Sequence, residues 1–221
     1  MLCTKTMDFA DKIKAARAIL DLSQSALAEA AELSVPGIQR LEAKETSPNT
    51  RTQDKLIRAL KKRGIVFTEK GIEYEQYPIY FTEGKDHEDA YLKLLEDAYE
   101  HLLTVKDPEL LIMFADDKVS PPSVNDMYRK MRENGIKMRQ FIQEGNDYIL
   151  GPLEEYRYIP AQYFINRVTL IYGDRIANET ADVTKGVIKV DPVNAEIQRN
   201  TFNILWQLLE QPQETVSDER F

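Results

Sequence analysis

Two groups of residues in this 221-residue chain have side chains suited to chemistry. The first is Val35-Pro36-Gly37-Ile38-Gln39-Arg40. Arg40 carries a planar fork of N–H donors, whereas Val35 and Pro36 offer only apolar contact. The second group is looser. Asp116, Asp117 and Ser120 follow an apolar run, and Arg157 stands between Tyr156 and Tyr158. An Arg flanked by two tyrosines could hold a phosphate or a sugar, and paired Asp residues could hold hydroxyls or a divalent cation. Both patterns also have plain structural readings. Asp-Asp after a strand is commonly a turn or helix start, and Tyr-Arg-Tyr on a strand has one face packed and one wet.

The first group needs short helices to present it. From Ile13 to Leu22 the apolar residues Ile13, Ala16, Ile19 and Leu20 share one helical face, with Lys12, Lys14 and Arg17 interleaved. Ser23 suits the cap of a second helix, whose Ala26, Leu27, Ala30 and Ala31 give it a close-packing inner side. Ser34 caps a third, with Pro36 in the first turn, where no ladder N–H is lost. Ile38 and Leu41 then point inward, leaving Val35, Gly37, Gln39 and Arg40 to solvent or to DNA. A fourth helix is expected from about Asn49 to Arg63, with Leu56, Ile57 and Leu60 inward and Gly64 as its stop. Two short helices joined by a tight turn are the plan of a helix-turn-helix reader of DNA.

At Arg17, Ser23-Gln24, Leu27-Ala28, Ile38, Leu41-Glu42 and Lys44 the chain resembles the Cro/C1-type (XRE-like) helix-turn-helix family, over roughly residues 11 to 63. The resemblance implies that Arg17 and Glu42 form a structural ion pair. It also makes Gln24 a phosphate contact at a helix N-terminus, where free N–H groups favour an anion. Ser34, Val35, Pro36, Gly37 and Arg40 then line the groove, with Arg40 the base reader. Gln39, Lys44, Asn49, Thr50 and Arg51 become backbone anchors, although Gln39 and Lys44 could equally belong to an ordinary solvated face. One departure is visible: the turn position usually filled by Gly is Glu32.

Charge is divided unevenly. The whole chain is acidic at −8, a balance that alone argues against a nucleic-acid partner. Residues 1–70, however, carry 13 Lys/Arg against 9 Asp/Glu, or +4, and the remainder 16 against 28, or −12. A basic head can offer its positive side to phosphate while an acidic body is held away from it. One mildly basic head binds weakly, so two copies on adjacent half-sites are expected, hence a homodimer. The single cysteine, Cys3, reads as a spectator thiol in a reducing interior. No run reaches membrane-spanning length and no signal peptide is legible, so the expected location is cytoplasmic, with no membrane partner.

Beyond Gly64 the texture changes. Residues 65–68 and 72–74 flank Glu69-Lys70-Gly71 as a short hairpin, and Ile79-Tyr80-Phe81 can add a strand. A long amphipathic helix is expected over Asp86–Val105, with Tyr91, Leu94, Leu95, Ala98 and Leu102 at helical spacing. Residues 110–115 read as a buried strand. A helix over 123–134 and a strand over 137–143 complete a β–α–β crossover, which requires parallel pairing. Further strands are expected at Tyr156–Ile159, Val168–Tyr172, Arg175–Asn178 and Gly186–Val190, with Gly173-Asp174 as a turn. A final helix over about Asn194–Leu209 turns Phe202, Leu205, Trp206 and Leu209 inward. The polar, acidic residues 212–221 read as disordered. The expected organisation is an α plus α/β chain. A four-helix DNA-binding domain (1–70) leads through a hairpin and strand junction (71–85) to an α/β effector or dimerisation domain with a mixed sheet (86–211).

Through Tyr156-Arg157-Tyr158-Ile159-Pro160, Val168–Asp174 and Asn200–Trp206, residues 108–209 resemble the phospholipase-D-like effector domain of TrmB-type sugar-responsive regulators. Enzymes of that superfamily need His-x-Lys, in which His attacks phosphorus while Lys holds phosphate oxygens. His87 is followed by Glu88-Asp89 and His101 by Leu102-Leu103, so neither supplies it. The expectation is a non-enzymatic DNA-binding transcriptional regulator, a repressor, with no cofactor or metal. Its C-terminal domain would sense a small molecule, with Asp116, Asp117, Ser120, Tyr156, Arg157 and Tyr158 as candidate ligand contacts. The alternative is a DNA-targeted phosphodiesterase or nuclease of the same superfamily. A self-cleaving repressor would need a Ser–Lys dyad on a β-rich domain, which the β–α–β pattern argues against.

Overall fold

The computed structural model describes residues 6–218; Cys3 lies outside them. The chain divides into two compact units, Met1–Pro78 and Ile79–Phe221.

The first unit opens with four helices, α1 (Phe9–Ile19), α2 (Gln24–Ala30), α3 (Val35–Glu42) and α4 (Thr50–Lys61). Each starts at a residue chosen by the same physics. Asp8, Ser23, Ser34 and Asn49 have extended backbones, and each side-chain oxygen accepts a hydrogen bond from the N–H three residues on. Ile13, Ala16, Leu27, Ile38, Leu41, Leu56 and Leu60 form the core between the four helices. Gly64 ends this run at φ +87°, and a Cβ there would lie 2.0 Å from the Glu75 carbonyl oxygen, so only glycine fits. β1 (Ile65–Phe67) and β2 (Ile72–Tyr74) then pair antiparallel as the hairpin.

The second unit is a seven-stranded mixed sheet with helices on both faces. Its strands are β3 (Ile79–Glu83), β4 (Glu109–Met113), β5 (Lys137–Gln143), β6 (Tyr156–Ile159), β7 (Thr169–Tyr172), β8 (Arg175–Glu179) and β9 (Lys185–Val190). They lie in the order β3-β9-β8-β7-β4-β5-β6. β4, β5 and β6 run parallel, whereas the remaining pairs are antiparallel. α5 (His87–Leu102) and α6 (Pro122–Glu133) bury Leu94, Leu95, Leu102, Val124 and Met131 against one face. α7 (Pro192–Leu208) packs Phe202 against Leu111, Phe141 and Ile171 on the other.

Two expectations change. The strand at Ile79 leaves the hairpin and pairs in antiparallel register with β9, from Ile79 opposite Lys189 to Glu83 opposite Lys185. It buries Tyr80 and extends the large sheet, which a three-residue hairpin could not do for it. The C-terminal stretch, read as disordered, is docked as far as Ser217. The Tyr158 N–H donates to the Glu210 carbonyl, Thr215 exchanges bonds with both backbone groups of Ile149, and the Val216 N–H donates to the Asp147 carbonyl. Glu210 takes an open group of the edge strand β6, and the residues after it bond the loop between β5 and β6, whose backbone groups have no ladder partner.

Candidate nucleic-acid interface

α3 turns one side in and the other out. Ile38 and Leu41 are buried, while Pro36, Gly37, Gln39 and Arg40 are exposed. Val35 packs partly against the core, so only part of it remains for a ligand. Arg40 Nε donates at 3.3 Å to the carbonyl of Pro36, one turn back. This bond uses one of five donors and leaves the terminal fork available. Ser34 Oγ accepts from the Gly37 N–H at 3.2 Å, which caps the helix and leaves the hydroxyl hydrogen to donate.

The helix is held at the required angle by a clamp around Glu42. Arg17 Nε and Nη2 donate to its two carboxylate oxygens at 2.8 and 3.1 Å, and Arg17 Nη1 donates to the Leu22 carbonyl at 2.8 Å. The Gln24 side-chain amide donates to Glu42 Oε2 at 2.8 Å. Three helices therefore meet on one carboxylate. Burial pushes Glu42 up, but the hydrogen bonds of Arg17 and Gln24 and the Arg17 charge outweigh it and hold the carboxyl below its usual range. Arg17 is raised by the same bond. Gln24, read from the sequence as a phosphate contact, thus spends its amide nitrogen inside the domain. A phosphate at this helix start would meet its backbone N–H and whichever side-chain atoms the clamp leaves.

Glu32 occupies the turn between α2 and α3 at φ +49°. A left-handed L-residue costs about 1–2 kcal/mol. Here the backbone bonds from Glu32 and Leu33 N–H back to Glu29 and Ala28 are kept, and Lys55 Nζ holds the Glu32 carboxylate at 2.7 Å. The family turn is therefore built without its glycine.

The remaining expected contacts separate. Lys44, itself left-handed at φ +61°, places its ammonium 2.8 Å from Asp8 and 2.9 Å from Asp11, which ties the loop after α3 to the start of α1. A DNA phosphate would have to compete with both carboxylates. Asn49 Oδ1 accepts from the Thr52 N–H, and Thr50 and Arg51 are exposed in the first turn of α4. Ser34, Gly37, Asn49 and Thr52 share the lining of a groove of about 310 Å³ between the starts of α3 and α4. Gln39 stands exposed on α3.

The second group of candidate residues is used mostly within its own unit. Asp117 is buried and accepts from Gln140 Nε2 (3.0 Å), the Leu150 N–H (3.0 Å) and the Tyr156 hydroxyl (2.8 Å). Burial raises its pKa even though those three bonds oppose the shift. Asp117 and Tyr156 therefore satisfy each other rather than a ligand. Arg157 lies 4.3 Å from the Trp206 ring centroid, a cation–π contact, and Tyr158 is half-buried. Asp116 accepts from Asn146 Nδ2 at 2.8 Å.

Asp116, Asp117 and Ser120 do line a cleft past the end of β4, with His87, Tyr91, Tyr128, Asn166 and Glu179. These five come from α5 (His87 and Tyr91), α6, the loop before β7 and the end of β8, so no local pattern joins them into one site. His87 Nε2 contacts Glu179 Oε1, and the Tyr91 and Tyr128 hydroxyls contact each other. The cleft holds about 60 Å³, room for one or two waters and too little for a sugar or nucleotide. Among the described residues no three His, Cys, Asp or Glu side chains gather as a metal site, and no helix is long and apolar enough to cross a membrane.

A family model described as Helix-turn-helix matches residues 13–65, the span from α1 to the first residue of β1. The first unit is a helix-turn-helix DNA-binding domain of the XRE-like, transcription-regulating type. No curated protein matches the chain in sequence. Three solved structures are similar at low identity. A phospholipase D family member, Nuc, from Salmonella typhimurium is 11% identical over 62% of this chain and 99% of its own, with a TM-score of 0.43. TrmBL2, an archaeal chromatin protein, is 15% identical over 80% of this chain and 66% of its own, at 0.40. A phosphatidylserine synthase from Haemophilus influenzae is 13% identical over 79% of this chain, at 0.38, and this chain spans 49% of its length. At these scores the likeness assigns no activity.

Proposed function

We propose that this chain is a sequence-specific transcriptional regulator that binds duplex DNA as a homodimer and represses by occupying its site. The observation that carries the reading is the exposed edge of α3, Pro36-Gly37 and Gln39-Arg40, on a helix whose angle is set by the Arg17–Glu42–Gln24 clamp. A major groove admits one α-helix, and base edges are read from its N-terminal half. Arg40 is the base-reading residue. Gln24, Ser34, Gln39, Lys44, Asn49, Thr50 and Arg51 surround it as backbone contacts, with Lys44 exchanging Asp8 and Asp11 for phosphate. Val35 and Pro36 supply apolar contact.

The second unit acts as a non-catalytic body. In the sensing role, a small ligand enters the cleft at Asp116 and Ser120 by displacing His87 from Glu179. Such a ligand changes DNA affinity only through different affinities for the two arrangements.

Selection from a random duplex pool at low ionic strength tests the regulator reading, and an enriched, pseudo-palindromic site is the expected result. Affinity for that site should fall with salt at a log–log slope of about −0.9 per neutralised phosphate. A pool that enriches no sequence overturns the reading. For the sensing role, a thermal-shift screen with sugars, phosphates and amines should raise the unfolding temperature with at least one class, and His87→Ala should change that response. No shift with any of them removes sensing and leaves a structural body.

A further inference from the structure

We propose that the second unit dimerises through the outer face of α7, paired antiparallel with the same helix of a second copy. This deepens the homodimer reading above and rests on it. α7 is apolar on two sides. Its inner side carries Ala195 and Phe202, both buried. Its outer side carries Val193, Ile197, Ile204 and Leu208, exposed by 71, 56, 60 and 75%. At 100° per residue these four lie within about 60° of one another, one continuous stripe along the helix. A surface helix of a monomer is expected to be polar there.

The arrangement of the stripe names its occupant. Val193 and Leu208 stand equally far from the midpoint between Asn200 and Thr201, and so do Ile197 and Ile204. A twofold axis through that midpoint sets Val193 against the partner's Leu208 and Ile197 against the partner's Ile204. An isologous interface requires self-complementarity of this kind, whereas an unrelated partner does not. Asn200 and Thr201 are both exposed and meet at the axis. They fix the register, because a one-turn slide would press a polar side chain onto an aliphatic one.

Charge and area agree. Within a second unit of net −10 (16 Lys/Arg against 26 Asp/Glu), residues 192–208 hold only Glu196 and Arg199, which pair with each other at 3.1 Å, so two copies approach along a neutral strip. The four aliphatic side chains expose roughly 500 Å² per protomer, against about 800 Å² per partner in a stable interface. The same sheet face supplies more. Tyr80 bonds to Asp97 on the α5 side, so alternation along β3 puts Ile79 and Phe81 on the α7 side, and both are more than half exposed.

Sedimentation equilibrium on the full chain tests this. The wild type should be a dimer at micromolar concentration. Ile197→Glu combined with Ile204→Glu should weaken self-association by about a hundredfold or more, since each change occurs twice in the interface. Mixing that variant with Ile197→Lys/Ile204→Lys should restore a dimer, because 197 faces 204 across the axis. Leu103→Glu, at an exposed apolar position just after α5, should leave the dimer unchanged. A dimer that survives the double Glu change overturns the α7 assignment and leaves the homodimer reading standing. A wild type that stays monomeric at about 100 μM, well above the dissociation constants of stable dimers, overturns both. If the charged variant loses its circular dichroism, Thr201→Cys in a Cys3→Ser background carries the test. Oxidation should cross-link it to its own copy at the axis, and failure to do so overturns the assignment.

Discussion

Each unit is organised around one carboxylate, and the two differ in how far apart their partners lie. In the first, Glu42 gathers Arg17 and Gln24, all within 25 residues, at the edge of the surface assigned to DNA. In the second, Asp97 on α5 is 1% exposed and gathers Tyr80 (2.8 Å), Tyr172 (2.9 Å) and Arg175 (2.8 Å) from β3, β7 and β8. The closest of these partners is 17 residues away and the farthest 78. The Glu42 clamp, whose carboxylate is also largely covered, joins three consecutive helices and sets the angle of one of them. The Asp97 hub is sealed and fastens a helix to strands that only the folded sheet brings together. The first hub joins neighbouring helices, whereas the second joins a helix to three strands of the sheet.

The contrast is sharpest at Asp97. Truncating a buried, fully bonded ion strands its partners, so Asp97→Ala should destabilise the second unit by about 3–5 kcal/mol. Trp206, the sole tryptophan, lies in that unit and reports the loss in urea titration. A change under 1 kcal/mol would reduce the hub to a bystander.

Glu42→Ala should cost about 2–3 kcal/mol, the range for charge-assisted hydrogen bonds, read as lost hydrogen-exchange protection over residues 9–42. The same group gives a pH signature. Its folded pKa lies below the ordinary carboxylate value, so its contribution is complete above that value and disappears as pH falls through the lowered one. Acid should therefore loosen α1–α3 in the wild type, and Glu42→Gln should remove that part of the pH dependence.

Arg40→Ala is expected to cost about 1–3 kcal/mol on the selected site and much less on random DNA. Equal losses on both would mean that Arg40 touches only phosphate. The smallest effect has the opposite sign. Glu32→Gly relieves the left-handed strain but gives up the Lys55 contact and adds chain entropy, for a net gain of up to about 1 kcal/mol in thermal unfolding. A loss instead would show that the Lys55 contact outweighs the strain.

Legibility followed the same division. The four side-chain caps at Asp8, Ser23, Ser34 and Asn49 act over three residues, and Ser23, Ser34 and Asn49 stand where the helix starts were expected. The β4–α6–β5 crossover was readable for a similar reason, since an apolar run, a helix and a second run in succession force parallel pairing. Gln24 and Lys44 are of types that suit phosphate, and their intramolecular partners were not legible. Only the folded unit brings Glu42 to one and Asp8 and Asp11 to the other. The pairing of His87 with Glu179 had no signal, because the two are 92 residues apart in the chain.

What the amino-acid order determined by itself was the set of elements and the side of each helix that turns inward, since periodicity and capping act within a few residues. Tertiary structure alone decided where β3 pairs, that the C-terminal stretch binds beside β6, and which polar side chains are already spoken for. Those outcomes depend on which unsatisfied backbone groups and charges become neighbours after the chain closes, and no local pattern encodes that.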